Sequence, residues 1–275
     1  MQILVIDRDE VASNLIKSRL EPYGHRVMIQ ADKTSEALAA AAQMDWDAIF
    51  FDPSPLTNPK PIVQNLRRGM RRYPYMILLS STLGMKEALT SAMNDFVAKP
   101  IDQTTLDVKL ENAARMTALL RHMGDDTEDF KSAGGIIAKS AFNQLFLSCI
   151  ERADRYAEQS FLMFFSIANY KAIAARDGEV EAEIAVAKMA KHLVHIRRQS
   201  DIIGQTRVNE YVLLLQRPAY ETEPVDAVNR FAEALSKCTD IAASSPLLEV
   251  DLNVSLVALP TADLVIEHNF TLRGS

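Results

Sequence analysis

Several residues able to do chemistry sit at the ends of short apolar runs in the first hundred positions. Asp7, Arg8 and Asp9 follow "QILVI", Asp52 follows "DAIFF", Ser80 closes "MILLS", and Lys99 with Pro100 follows "DFVA". Carboxylates, a hydroxyl and a lysine gathered at one edge could hold a hard cation or handle a charged group. A second stretch, "RQSDIIGQTRVNEY" (198–211), opens with Arg198 and Asp201 at the end of an apolar helix pattern and runs through a turn into "YVLLL". Its layout is that of a hairpin that handles a nucleotide. The turn, however, carries Arg207, Val208 and Asn209 before Glu210 and Tyr211, where a phosphate-cradling loop requires glycine and acid.

These residues need elements to position them. Up to residue 100 the chain alternates strand-like runs ("QILVI", "RVMIQA", "DAIFF", "MILLS", "DFVA") with helical patterns ("EVASNLIKSRLEPYG", "TSEALAAAAQM", "KEALTSAM"). Such alternation predicts a doubly wound parallel sheet, whose ligands gather at the carboxyl ends of the strands. A helix from about Thr104 carries Leu106, Leu110, Ala113, Thr117 and Leu120 at coiled-coil spacing and overruns the domain, which predicts a homodimer through 104–123. Gly124 and four acids in "GDDTED" then mark a linker over 124–131, between a domain over 1–123 and another over 132–275. The second half mixes helices with antiparallel strands and reads as α+β: a helix over "KSAFNQLFLSCIERADRYA", a strand "FLMFFSIA", a helix "EAEIAVAKMAKHLVHIRR", the hairpin, a helix "PVDAVNRFAEALSKC" and a strand "VDLNVSLVAL".

Composition narrows the function classes. Of 275 residues 48% are hydrophobic and 24% charged, as in ordinary folded domains, and the net charge of -6 speaks against a nonspecific nucleic-acid binder. No apolar run approaches a membrane span, and no signal peptide is read at "MQILVIDRDE", so a cytoplasmic protein without membrane contact is expected. Cys149 and Cys238 lie in apolar helical patterns and read as buried thiols with no metal role.

The strand-end constellation resembles the receiver domain of two-component response regulators over about residues 1–120, with "DFVAKP" its most specific piece. The resemblance implies a flavodoxin-like fold, with Asp52 as phospho-acceptor, Ser80 as the hydroxyl that senses the phosphoryl group, Lys99 as counter-cation and Phe96 as aromatic switch. It also implies a histidine kinase as partner. In that family a Mg²⁺ is held by the acceptor and by the second acid of a pair after the first strand. Here Arg8 stands in the second place, and a guanidinium paired directly with Asp52 would hold the carboxylate rather than activate it. Poor Mg²⁺ binding is therefore expected. Asp52 reads as a vestigial phosphosite, with Asp9 as a substitute metal ligand the other reading.

Residues 135–260 resemble a GGDEF domain, the diguanylate cyclase fold, through "FFSIANYKAI", "SDIIGQTRVNEYVLLLQ" and "VSLVAL" in order. The family's metal-binding acids fall at Ser166, Ala168 and Asn209, its glycines at Arg207 and Val208, and its guanine-reading pair at Ala174 and Glu183. The resemblance thus implies a domain without catalytic residues. It also implies that Arg198-x-x-Asp201, helped by Arg230, is a site for cyclic di-GMP: Arg offers a fork to phosphate or guanine, and Asp accepts from the guanine edge. The bland alternative is an ion pair between Arg198 and Asp201 at a helix end. The family's closing helix is missing from "TADLVIEHNFTLRGS". The expectation is a non-enzymatic signalling protein, either a cyclic di-GMP receptor or an adaptor for an unknown protein. The alternative is a phosphorylation-controlled regulator that works by protein contact alone.

Overall fold

After Gln2 the first strand is apolar because it is covered on both faces: Ile3, Leu4, Val5 and Ile6 of β1 (Gln2–Ile6) are fully buried. The same holds for β3 (Ala48–Phe51) and for most of β4 (Tyr75–Ser80). The computed structural model describes residues 1–31, 38–39, 41, 43–242 and 249–274. With β2 (Arg26–Gln30) and β5 (Asp95–Ala98), these strands form a parallel sheet of order β2-β1-β3-β4-β5, the flavodoxin-like arrangement.

Helix α1 (Glu10–Leu20) starts at Asp9, whose carboxylate accepts from the amides of Val11 and Ala12. A 3₁₀ turn and Gly24, at φ 81°, close it. Helix α2 (Lys60–Gly69) escaped the sequence reading because it opens on two prolines, Pro59 at the cap and Pro61 inside the first turn, where neither breaks a helix. Helix α3 spans Met85–Thr90 and α4 Gln103–Gly124. The helix expected over "TSEALAAAAQM" lies mostly outside the described residues. On α4, Leu106, Leu110 and Ala113 are buried within the chain together with Met116, Leu119 and Met123. Most of the stripe assigned to a second copy is therefore taken by the chain's own core. Thr117 and Leu120 stay half-buried.

The chain divides into one unit of Met1–Arg121 with Ile150–Glu158 and Pro260–Ala262, and another of His122–Cys149, Gln159–Leu259 and Asp263–Ser275. After α5 (Lys139–Tyr156) come β6 (Ser160–Ile167), α6 (Tyr170–Asp177), α7 (Glu179–Ile196), β7 (Ile202–Arg207), β8 (Glu210–Gln216), α8 (Glu223–Ser236), β9 (Glu249–Leu259) and β10 (Leu264–Arg273). Their sheet has the order β10-β9-β6-β8-β7, with every neighbouring pair antiparallel. Its core gathers Met163, Phe165 and Ile167 of β6, Ala182, Ala185, Met189 and Leu193 of α7, and Val228 and Phe231 of α8. Gly204 of β7 is required by packing: a Cβ there would lie 2.7 Å from the Phe142 side chain.

Where the family's closing helix was missed, the chain forms β10 instead. Ile266, His268, Phe270 and Leu272 are the more buried positions of that strand, in strict alternation with exposed ones. That period of two is present in "VIEHNFTLR" and was the signal for a strand.

Candidate functional site

In the first unit the strand ends do bring the expected residues together. The Lys99 ammonium lies 2.6 Å from Asp7 Oδ2, 2.5 Å from Asp52 Oδ2 and 3.7 Å from Asp9 Oδ2. Asp7 and Asp52 are 2% and 5% exposed, so this is a largely buried cation between two buried carboxylates. Burial alone pushes Asp52 up, but the hydrogen bond and charge of Lys99 and the hydrogen bonds of Ser54 outweigh it. The carboxyl stays below its ordinary range. Burial likewise works against the Lys99 ammonium, and Asp52 and Asp7 together raise it above the usual lysine range.

The expected pairing of Arg8 with Asp52 is corrected. Among the described residues Arg8 forms no ion pair, and it is exposed in the bend after β1, whereas Asp7 before it is buried. The cation on Asp52 is Lys99. The Ser80 hydroxyl accepts from the amides of Thr82 and Leu83 and so holds the turn after β4. Phe96 is partly buried against the core of its unit. For a Mg²⁺ the pocket offers Asp7 and Asp52, which share the single Lys99 ammonium, while Asp9 caps α1.

In the second unit the hairpin turn lies at Val208 and Asn209, between β7 and β8. Arg207 and Val208 are exposed. Asn209 turns inward: its amide donates to the Ile167 carbonyl at 2.9 Å, and the Ile167 amide donates to the Asn209 carbonyl at 3.0 Å. Ser166 pairs in register with Glu210 on one side and Asn253 on the other. The Ala168 amide donates to the Asp251 carbonyl, and the Asn169 side chain both donates to the Glu249 carbonyl and accepts from the Asp251 amide. The end of β6 is thereby tied to its neighbours by hydrogen bonds within the chain.

Glu210 accepts from the Thr206 hydroxyl at 2.7 Å, and His122 Nε2 lies 3.3 Å away, close enough for ionic attraction but poorly aligned for a hydrogen bond. Burial pushes Glu210 up, and His122, Thr206 and Arg207 more than offset it, so the carboxyl stays below its ordinary range. Ala174 packs against the core, and Glu183 is exposed, near enough to help Glu179 and burial raise the Tyr170 phenol. Tyr211 is 4% exposed, and burial pushes its phenol up to about 12.

The Arg198–Asp201 ion pair of the alternative reading does not form. Asp201 is 8% exposed and its carboxylate accepts from the Arg198 backbone amide at 2.8 Å, closing the turn between α7 and β7. The Arg198 guanidinium, half exposed, points elsewhere and donates to Glu223 Oε1 at 2.7 Å. The other Glu223 oxygen accepts from the Ala219 amide, and these two contacts, with a smaller one from the Arg230 charge, hold its carboxyl below the ordinary range. Arg230 lies on the same helix, and its buried Nε has no hydrogen-bond partner among the described residues. Sequence reasoning missed Glu223. Its signal was the spacing of seven from Arg230, two turns along one helix face.

Residues 132–263 match the family described as "Diguanylate cyclase, GGDEF domain". No curated protein matches the chain. Similar solved structures include a two-component response regulator from Clostridium difficile, 22% identical over 42% of this chain and 96% of that one, with a TM-score of 0.37. A CheY-like receiver domain from Methylobacillus flagellatus is 27% identical over 41% and 98%, at 0.36. The GGDEF domain of TpbB, or YfiN, from Pseudomonas aeruginosa is 16% identical over 44% and 70%, at 0.38. Residues 132–263 therefore carry a GGDEF-family domain, and the unit before them has the strand order of a receiver.

Proposed function

We propose that this is a signalling protein whose GGDEF domain does not turn over GTP and acts by binding. The observation that carries the reading is the state of the hairpin end. A cyclase needs carboxylates for two metal ions and an open glycine turn for phosphates. Here Ser166, Ala168 and Asn209 stand at the metal-ligand positions, Arg207 and Val208 replace the glycines, and the Asn209 amide is spent on the Ile167 carbonyl. Such a donor set does not fit two metal ions.

The ligand proposed is cyclic di-GMP at Arg198 and Arg230. Supporting it are the half-exposed Arg198 guanidinium and the Arg230 charge, both of which act on Glu223 and so lie within reach of one anion. Glu223 stands between them as an internal anion that a ligand must displace. Asp201 takes no direct part in this version of the site, because its carboxylate is committed to the turn. The receiver-like unit is proposed to hold Mg²⁺ and phosphoryl groups weakly, with Lys99 already neutralising Asp52. A homodimer along α4 would rest on Val108, Thr117 and Leu120, the apolar or mixed positions left at least partly open.

Calorimetry on the full chain with cyclic di-GMP, beside a turnover assay with GTP and Mn²⁺, tests the reading. Binding without turnover is the expected result. Turnover overturns it, and neither binding nor turnover leaves the adaptor form, in which the output is protein contact alone.

A further inference from the structure

His192 lies one turn before the end of α7, and Cys238 and Asp240 follow α8 on the short 3₁₀ turn Thr239–Ala242 and the residue before it. The sequence separates His192 from the other two by 46 and 48 residues, yet the fold brings a nitrogen, a sulfur and an oxygen donor to one place. His192 Nε2 is 2.8 and 2.9 Å from the two Asp240 oxygens, and all three donor atoms lie within 4.8 Å of one another. Among the described residues no other three such side chains converge this closely.

We propose that His192, Cys238 and Asp240 form a mononuclear site for a borderline-soft divalent ion of the Zn²⁺ class, with water as the fourth ligand. Thiolate, imidazole and carboxylate are the ligands such an ion takes, at about 2.3, 2.0 and 2.0–2.2 Å, which sets tetrahedral donor separations of about 3.3–3.6 Å. Reaching them from the present positions takes rotation of Asp240, whose side chain is 57% exposed and free to move, while His192 is 26% exposed and open to an entering ion. The frame behind the donors is rigid. Leu193 next to His192, and Ile241 and Ala242 next to Asp240, are fully buried in the core of the unit. Lys237, the residue before Cys238, directs its ammonium to Glu233 at 2.6 Å. A hard oxygen-seeking ion such as Mg²⁺ is disfavoured by the sulfur and nitrogen donors.

Loading the site balances as follows. The ion replaces the Cys238 thiol proton, which goes to solvent. Nε2 gives up the proton it shares with Asp240, a neutral imidazole taking it up at Nδ1 and a charged one, already protonated at Nδ1, releasing it to solvent, so the hydrogen bond to Asp240 gives way to two bonds through the metal. The result fastens α7 to the connection that follows α8.

Titration of the full-length protein with Co²⁺, read by absorption, tests this. One equivalent is expected to give the near-ultraviolet band of a thiolate-to-cobalt transition together with visible bands of tetrahedral Co²⁺, both removed by Zn²⁺. Cys238→Ser abolishes the thiolate band and His192→Gln weakens binding by at least the roughly tenfold that loss of even an outer-shell partner brings. Cys149→Ser leaves the band intact. Without any substitution, Zn²⁺ is expected to slow alkylation of Cys238, located by mass spectrometry. A protein that shows no thiolate band with Co²⁺, or whose Cys238 alkylates at the same rate with and without Zn²⁺, overturns the proposal.

Discussion

Lys99→Met removes the cation between Asp7 and Asp52 and leaves two carboxylates, 2% and 5% exposed, facing each other. Breaking a buried pair in this way typically destabilises by about 3–5 kcal/mol. A second route to the magnitude gives a ceiling. The pair can relieve itself by taking up one proton, and protonating a carboxyl of ordinary pKa near 3.9 costs about 1.36 kcal/mol per pH unit above it, hence about 4 kcal/mol at pH 7. At pH 5 the same ceiling is about 1.5 kcal/mol. The Ser54 amide, which donates to Asp52 at 2.7 Å, remains and trims both values. Urea unfolding followed by tryptophan fluorescence reads this unit selectively, because the chain's one tryptophan, Trp46, is 5% exposed within its core. With a slope near 2 kcal/mol/M the midpoint is expected to fall by about 2 M at pH 7 and by less than about 1 M at pH 5. Adding Asp52→Asn to Lys99→Met should recover most of the loss. A shift below about 0.5 M at pH 7, or one that does not change with pH, would refute the reasoning about a buried, charge-neutralised pair.

Other outcomes follow from the same geometry. Arg198→Ala is expected to weaken cyclic di-GMP binding at least about tenfold, and Arg207→Ala to leave it unchanged, by calorimetry. Glu223→Gln should tighten binding, since the amide oxygen can still serve the Ala219 amide while the anion that holds Arg198 is gone. Gly204→Ala should destabilise the GGDEF domain by about 1–3 kcal/mol, measured by thermal melting, because its Cβ meets the Phe142 ring carbons. Asp52 and Lys99 set the pH range of the receiver-like unit. The depressed Asp52 contributes fully above the ordinary carboxylate range and loses its contribution as pH falls through its folded value, while the raised Lys99 contributes fully below its ordinary value and loses it as pH rises through the folded one. Trp46 fluorescence across acid and alkaline series should show a plateau between those two arms.

What was legible in the sequence was what a repeating pattern or a strand end could carry. The buried strands of the first sheet announce themselves by unbroken apolar runs, and their carboxyl ends delivered Asp7, Asp52 and Lys99 to one cluster. The partner of Asp52 was not legible, because a sequence gives the order of Arg8 and Lys99 but not which way an exposed strand-end side chain turns. Leu106, Leu110 and Ala113 have the spacing of a dimer seam, yet a stripe of that kind packs equally well on its own chain, and here it does. Glu223 and the His192–Cys238–Asp240 cluster were hidden for a plainer reason. Their members are far apart in the chain and are joined only by the packing of α7 and α8.

The hairpin is specified by its packing and leaves its turn free to vary. Ile203, Val212 and Leu213 are buried, and Gly204 is held by Phe142, so β7 and β8 are specified by the core whatever the turn does. Arg207 and Val208 bury little, and exchanging such residues leaves the packing intact. Asp201 is different, since its carboxylate closes the 198–201 turn as well as standing where the family reads guanine. It follows that Asp201→Ala is a poor probe of ligand binding here: it would loosen the turn that presents Arg198 and weaken any ligand at that place, whatever group recognises the base. Arg198→Ala and Glu223→Gln carry no such double role in the turn. Opposite effects of those two substitutions on cyclic di-GMP affinity would therefore separate a ligand site from a merely structural ion pair, which both would disrupt alike.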